Sequence, residues 1–439
     1  MCVTSSYRAK ADSATARAAD PSHRPSLIGP GQLDSAGVWS TARRRELTLL
    51  AAGQPWLPGL LLLGRVARPV RKVPALGWFV ADPVIARQIY NDSTHFSIVS
   101  EGAAGHWWSQ VIGDWVQDLF EGPGHTELRT KVRDLFTLTH TDALVRRVIG
   151  PDLRDMRERL AAGETVDMAA RAQILVGRSV SDLVGMRPED IAAAIGGDPD
   201  DDQDALFLRL FHHVEELVNL GFGTMTSTTL DPVAVARARE LATRLAVNVP
   251  AAYERADPDT TLGRCRELGL AVEHAAGLAI LMAVAGTDTL ASAMTRMVAI
   301  MHDSDQHRAL LAAPHRLPDA VRETLRVTSP AYLVGRSVTA DVRVADRDLK
   351  AGDHVKILTW TINNAAGDFD IHRDYNPETR QLWFGGGRHL CLGAQLVHSE
   401  LTALLASLTA AGRPWEIVER RYRRKVFIPT YESLRIRLA

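Results

Sequence analysis

Residues 275–286 read AAGLAILMAVAG, an uncharged stretch with Glu273 and His274 before it and Asp288 after it. Crossing a bilayer takes about 20 apolar residues, so this run falls in the range of a buried core helix. A helix that is apolar on most faces has to be surrounded by protein. The sequence therefore predicts a long helix from about Cys265 to about Met301 through the centre of the fold, with the rest of the chain wrapped around it. A chain of 439 residues, 46% hydrophobic and 23% charged, is long enough to supply that wrapping as an ordinary globular protein.

Much of the wrapping is expected to be helical. Segments 85–90, 127–136, 142–160, 191–195 and 204–220 carry apolar residues at three- and four-residue spacing. Strand signals are fewer: β-branched residues bounded by Gly, Asp or Pro occur at 74–80, 337–344 and 354–359. No repeat period or Pro/Gly linker divides the chain. The expected architecture is mainly α, a single large helical domain over 31–439 with a small β-rich portion. Residues 1–30 have no apolar stretch of the signal-peptide kind and are expected to form a disordered tail. The motif LPGLLLLG at 57–64 is too short, and too interrupted by Pro58 and Gly59, to span a membrane. The acidic segment 196–204 (GGDPDDDQD) reads as a solvated connection, with a metal site as its alternative.

With 51 basic against 52 acidic residues, the formal net charge of −1 provides no global field for nucleic acid or an anionic membrane. Only six of the 51 basic residues are lysine, which reads as a GC-rich bacterial composition. Three cysteines, Cys2, Cys265 and Cys391, are too few for a disulfide framework, so a reducing, cytoplasmic setting is expected. Cys265 reads as a small buried hydrophobe.

Cys391 differs from the other two in its setting. Residues 384–393 read FGGGRHLCLG and precede the helix-like stretch 394–408. Glycines ahead of a cysteine that opens a helix describe a ligand loop: they let backbone approach a large planar group, and the helix N-terminus favours a thiolate. A lone thiolate on heme iron is the ligand that favours O–O cleavage. In the central helix, 285–289 read AGTDT, and an acid beside a hydroxyl in an apolar helix needs a reason. Proton delivery to bound dioxygen is one. A Thr satisfied by its own helix and an Asp turned to solvent is the alternative.

Phe384, Gly387, His389, Cys391 and Gly393 together resemble the heme-ligand loop of the cytochrome P450 family, in the form common among soluble bacterial members. The resemblance implies that family's fold around a buried heme b, with Cys391 as the iron ligand and His389 at a heme propionate. It assigns Ala285, Gly286, Asp288 and Thr289 to the oxygen-activation groove, with Asp288 as the acid and Thr289 as the hydroxyl. His125 and Arg129, four apart on one helical face, resemble the family's propionate-binding pair, and Arg336 matches a third propionate ligand by position. Glu323 and Arg326 resemble its structural Glu-x-x-Arg pair, although Glu432 and Arg435 share the same spacing. The segment 363–373 is shorter than the family's, with Asp368 before Phe369, which leaves Arg373 or Arg380 as substitutes for the pair's usual third partner.

The implied activity is a monooxygenase inserting one atom of O2 into an apolar small molecule, with hydroxylation foremost. The alternatives are oxidative coupling, epoxidation, peroxygenase chemistry or a non-catalytic heme-binding protein. Electrons would come from a separate ferredoxin or similar donor with its reductase, docking where Lys131, Arg133 and Arg388 supply positive charge. Family analogy lines the substrate pocket with Trp107, Trp108, Phe211, Phe222, Ala283, Thr287, Tyr332, Leu333, Val334 and Ile428. No nucleic-acid partner and no membrane span are expected.

Overall fold

A computed structural model describes residues 40–66, 68–198, 202–221, 229–377 and 382–439. The expected tail at 1–30, Phe222 and Arg380 lie outside the described residues. The expected central helix forms over Val272–Asp303, and every residue from Leu290 to Met301 is buried. It is long and apolar enough to cross a membrane, yet 67% of its most apolar window is inside the protein, as in a core helix. It does not reach back to Cys265. That residue sits, buried, in a separate helix, Thr261–Glu267, which ends at Gly269 with φ 65°. A left-handed glycine after a helix is a stop signal that apolar spacing alone does not reveal.

The central helix packs most extensively on Met168–Val184, and also on Gln203–Gly221 and Leu317–Thr328. Met168–Val184 was not among the expected helices. It is capped by the Asp167 carboxylate accepting from the Ala169 N–H, and it ends at Gly185, φ 100°. Segment 142–160 forms two helices, Leu138–Val148 and Gly150–Ala161, because Gly150 and Pro151 open a new helix after Ile149. Residues 127–136 end as a tighter 3₁₀ turn, Arg133–Phe136.

The β portion is larger than expected. Segment 74–80 is not one strand: Val70–Val73 and Gly77–Val80 pair antiparallel across a turn in which Ala75 takes φ 63°. They begin a five-stranded sheet that continues through His354–Ile357, Val334–Val338 and Phe96–Ser97, with the Gly77–Val80 and His354–Ile357 pair parallel. Residues 342–344 leave that sheet and pair with Arg347–Leu349. The strands Trp415–Tyr422 and Tyr431–Leu438 form a hairpin joined by Val166–Asp167.

Helix Leu317–Thr328 holds the buried ionic knot of the fold. Arg326 Nε and Nη2 donate to the two Glu323 oxygens at 2.8 and 2.7 Å, and its remaining N–H groups reach the carbonyls of Asn363, Gly367 and Asp368. Arg373 Nε donates to Glu323 Oε2 at 3.2 Å, so Arg373 supplies the third partner. The unusual Asp368 pairs with Arg43 of helix Thr41–Gly53 at 2.7 Å, which ties the short segment to the start of the fold. The second Glu-x-x-Arg copy lies on a strand, where residues three apart point to opposite faces. Arg435 reaches Glu419 instead.

Glu323 is 1% exposed. Arg326→Ala leaves that carboxylate buried without its main partner and is expected to cost about 3–5 kcal/mol in urea unfolding. Arg373→Ala, at the half-exposed edge of the knot, should cost less. A loss for Arg326→Ala no larger than that for Arg373→Ala would refute the assignment.

Candidate functional site

The loop before Cys391 is held by backbone. Cys391 N–H donates to Phe384 O at 3.0 Å, Gly387–His389 form a 3₁₀ turn, and Gly393 opens helix Ala394–Thr409. Gly387 has φ 63°, and a Cβ there would lie 2.0 Å from the Tyr90 carbonyl oxygen. Glycine is required at that position by packing on helix Pro83–Asn91, a different reason from the close approach of a planar group that the sequence suggested. The Cys391 side chain is accessible to solvent, yet protein atoms crowd it enough that burial raises its thiol pKa. The Gly393 N–H and the Arg129 charge oppose that rise without overcoming it.

Basic side chains from three segments, the loop itself among them, gather here. Helix Pro123–Val132 brings His125, buried, with its ring 5.1 Å from that of His389, and Arg129, whose Nη2 donates to Leu390 O at 2.7 Å. Arg388 Nη2 donates to Glu121 O at 3.2 Å and lies 3.3 Å from His125 Nδ1. Arg336, buried on strand Val334–Val338, stacks over the Tyr90 ring at 5.3 Å. Burial and the neighbouring guanidinium charges push the histidines down, His389 to about 3 and His125 to about 4. The carboxylate that faces this group is Glu121, 3.9 Å from His389 Nε2 and already held by Ser97 Oγ at 2.8 Å and Ile98 N–H at 2.6 Å. Three guanidinium groups beside one engaged carboxylate leave the site short of negative charge. A thiol ligand beside such a cluster fits an iron porphyrin that brings two carboxylates of its own.

In the central helix, Ala285 is exposed and Gly286 and Thr289 are half-buried, so one side of the helix middle is accessible. The Thr289 hydroxyl donates to Ala285 O at 2.8 Å, as a threonine satisfied by its own helix does. Asp288 does not turn to solvent. It is buried, its Oδ1 has no hydrogen-bond partner among the described residues, and burial pushes its pKa up to about 8. The ion pair of Glu215 and Arg423 lies close enough to act on it, Glu215 raising and Arg423 lowering the value.

The residues expected to line a pocket are distributed over several clusters. Ala283 and Thr287 line an apolar cavity of about 60 Å³ together with Val180, Ile191, Leu210 and Val214. Trp108 is buried in a cluster with Val214 and Leu217, with Trp107 packed at its edge, and Phe211 is in the main core. Tyr332 is buried beside Leu333, its ring 6.0 Å from that of Phe427, while Val334 packs on the five-stranded sheet and Ile428 is buried. On the outer surface Lys131 and Arg133 are exposed, whereas Arg388 is turned inward to His125. Asp204, from the acidic segment, pairs with Arg171 and Arg178.

Sequence reasoning missed Tyr90, Glu121, the Glu215–Arg423 pair and Glu400, none of which has a spacing signal. Glu400, in the second turn of helix Ala394–Thr409, is fully buried and burial raises its pKa to about 8. Ser179 is near enough to temper that rise, but its hydroxyl donates to Val176 O, and neither Glu400 oxygen has a hydrogen-bond partner among the described residues.

The cytochrome P450 family model matches residues 315–409, which hold Glu323, Arg326, Arg336 and the Cys391 loop. Cytochrome P450 130 of Mycobacterium tuberculosis is 32% identical over 151 residues, 32% of this chain and 36% of that protein, so this match spans little more than a third of the relative's length. A methyl-branched lipid omega-hydroxylase of Mycobacterium bovis is 27% identical over 303 residues, 64% of this chain and 65% of that protein. A solved structure of a mutant of P450 EryK in complex with erythromycin B shares the fold, with a TM-score of 0.68 at 22% identity over 91% of this chain and 97% of that one.

Asp288 and Glu400 both have folded-state pKa values raised to about 8. These two carboxyls therefore bind more protons in the folded protein than in the unfolded chain between about pH 4 and 8, and their contribution to stability falls as pH rises through that window. Replacing Glu400 with Gln, which never ionises, should flatten the fall in melting temperature between mildly acidic and mildly alkaline buffer. An unchanged pH profile would show that Glu400 does not hold its proton.

Proposed function

That the chain belongs to the cytochrome P450 family is the premise from which we propose a heme-thiolate monooxygenase, inserting one atom of dioxygen into an apolar small molecule, hydroxylation foremost. The observation that carries the proposal is the convergence of the accessible Cys391 thiol with Arg129, Arg336, His125 and His389 around a deficit of negative charge. Heme b, the family's cofactor, would supply dioxygen activation when held through a thiolate. Cys391 would be that ligand, and Arg129, Arg336, His125 and His389 would take the two propionates, with Arg388 backing His125.

The remaining roles belong to the chain's own groups. Ala285 and Gly286 keep the accessible side of the central helix free of bulk. Asp288 holds a proton near neutral pH because burial disfavours its carboxylate, which suits it to be a general acid. Thr289 donates to Ala285 O, which fixes the hydroxyl and leaves its oxygen free to accept a hydrogen bond. The apolar lining at Ala283 and Thr287 suits a nonpolar substrate, and the lipid named in the Mycobacterium bovis relative is one such class. Lys131 and Arg133, exposed next to the helix of His125 and Arg129, would receive an acidic electron-transfer protein such as a ferredoxin.

Cys391→Ser is expected to abolish the long-wavelength band that thiolate ligation gives the reduced, carbonyl-bound protein. Its absence from the wild-type protein would overturn the proposal. Asp288→Asn should lower turnover about a hundredfold while the band is kept. Reversing Lys131 and Arg133 to Glu should slow reduction by a ferredoxin at low salt and remove most of its salt dependence; an unchanged rate would place the docking face elsewhere.

A further inference from the structure

The LPGLLLLG motif has two sides in the structure. Leu57 and Leu61, one turn apart on helix Leu57–Val66, are fully buried with Phe79, Tyr332 and Trp360. Trp56, Leu60 and Leu63 follow another line of four- and three-residue steps, which places them together on the outer side. Trp56 is 43% and Leu63 63% exposed, with Leu60 half-buried between them. Leu57 and Leu61 anchor the helix, while much of the Trp56 and Leu63 side chains stays in water.

The surroundings are basic although the whole chain is near neutral. Between Glu46 and Asp82 there is no acidic residue, while Arg65, Arg68 and Arg71 are basic, and Lys72 is paired with Asp353. Residues 420–431 (RRYRRKVFIPTY) likewise contain no acid. The fold joins these two segments. Lys425 N–H donates to Ala52 O at 3.2 Å, Gln54 Nε2 donates to Val426 O at 3.3 Å, and a Cβ on Gly53 would lie 3.3 Å from Pro429. Arg420, Arg421 and Arg423 are paired with Asp303, Glu419 and Glu215. Arg424 and Lys425 are exposed and have no acidic partner among the described residues. They belong to the loop seated on the turn that leads directly into Trp56.

We propose that this face, made of Trp56, Leu60 and Leu63 with Arg424 and Lys425, docks on an anionic lipid surface. A tryptophan and leucines beside unpaired cations suit the headgroup and acyl boundary, where the apolar side chains leave water and the cations meet lipid phosphates. Charge complementarity alone would suit an acidic protein equally; the outward Trp and Leu side chains decide for lipid. Phe427, from the same loop, packs on Tyr332, so the docked face adjoins the region of Tyr332, Leu333 and Ile428. Lipid binding does not require turnover, and the proposal stands apart from the heme-thiolate reading.

The test is cosedimentation of the full chain with vesicles of phosphatidylcholine alone or containing about 30% phosphatidylglycerol, at low and high salt. The expected result is at least about tenfold stronger partitioning onto the anionic vesicles, weakened by salt. The double variant Trp56→Ser, Leu63→Ser should lower partitioning about tenfold, and Arg424→Glu, Lys425→Glu should abolish the preference for anionic lipid, each with an unchanged circular dichroism spectrum. Equal partitioning onto both vesicle types overturns the proposal, as does wild-type binding by either variant. Capture by an acidic carrier protein, sensitive to the same variants and without vesicle binding, also overturns it, and assigns the face to a protein partner.

Discussion

Arg336 is buried, and Arg129 and Arg388 are half-buried, around two neutral imidazoles and one carboxylate already engaged elsewhere. Placing like charges together away from water is unfavourable unless an anion joins them. This constraint organises the rest of the site. It explains why helix Pro123–Val132, strand Val334–Val338 and the Cys391 loop are brought to one place: each contributes a cation or the sulfur to the same deficit. Tyr90 serves as the hub, stacking under Arg336 while its backbone forces glycine at position 387.

The central helix poses the complementary problem. From Leu290 onward it is sealed in core, but at Ala285 it is accessible, and at Asp288 it carries an acid that burial keeps protonated. In the proposed function the helix separates two tasks, structural along most of its length and chemical over this single accessible turn. The ionic knot of Glu323, Arg326 and Arg373 holds the neighbouring helix in place, and Asp368 extends it to Arg43 near the chain start.

Much of this could be read from the sequence because it rests on local spacing. The apolar run located the core helix, and FGGGRHLCLG located the sulfur. The His125 and Arg129 pair, four apart, and the Glu323 and Arg326 pair, three apart, each occupy one helical face. What could not be read depends on contacts between distant segments. Gly269 ends a helix inside the span expected to be one, Ala75 turns an expected strand into a hairpin, and Arg435 lies exposed on a strand where Arg326 lies buried on a helix. Glu121, Tyr90 and the Glu215–Arg423 pair act through space on residues far along the chain, and no spacing in their own neighbourhoods marks them.

The account stands on one claim, that the cationic deficit and the Cys391 thiol form a single binding site for a metalloporphyrin with two carboxylates. The most direct measurement is the heme content of the purified full chain, prepared with heme in excess and compared with its protein concentration. The account predicts one heme bound per chain. A chain that folds, with the expected helical content, yet binds no stoichiometric heme would contradict it.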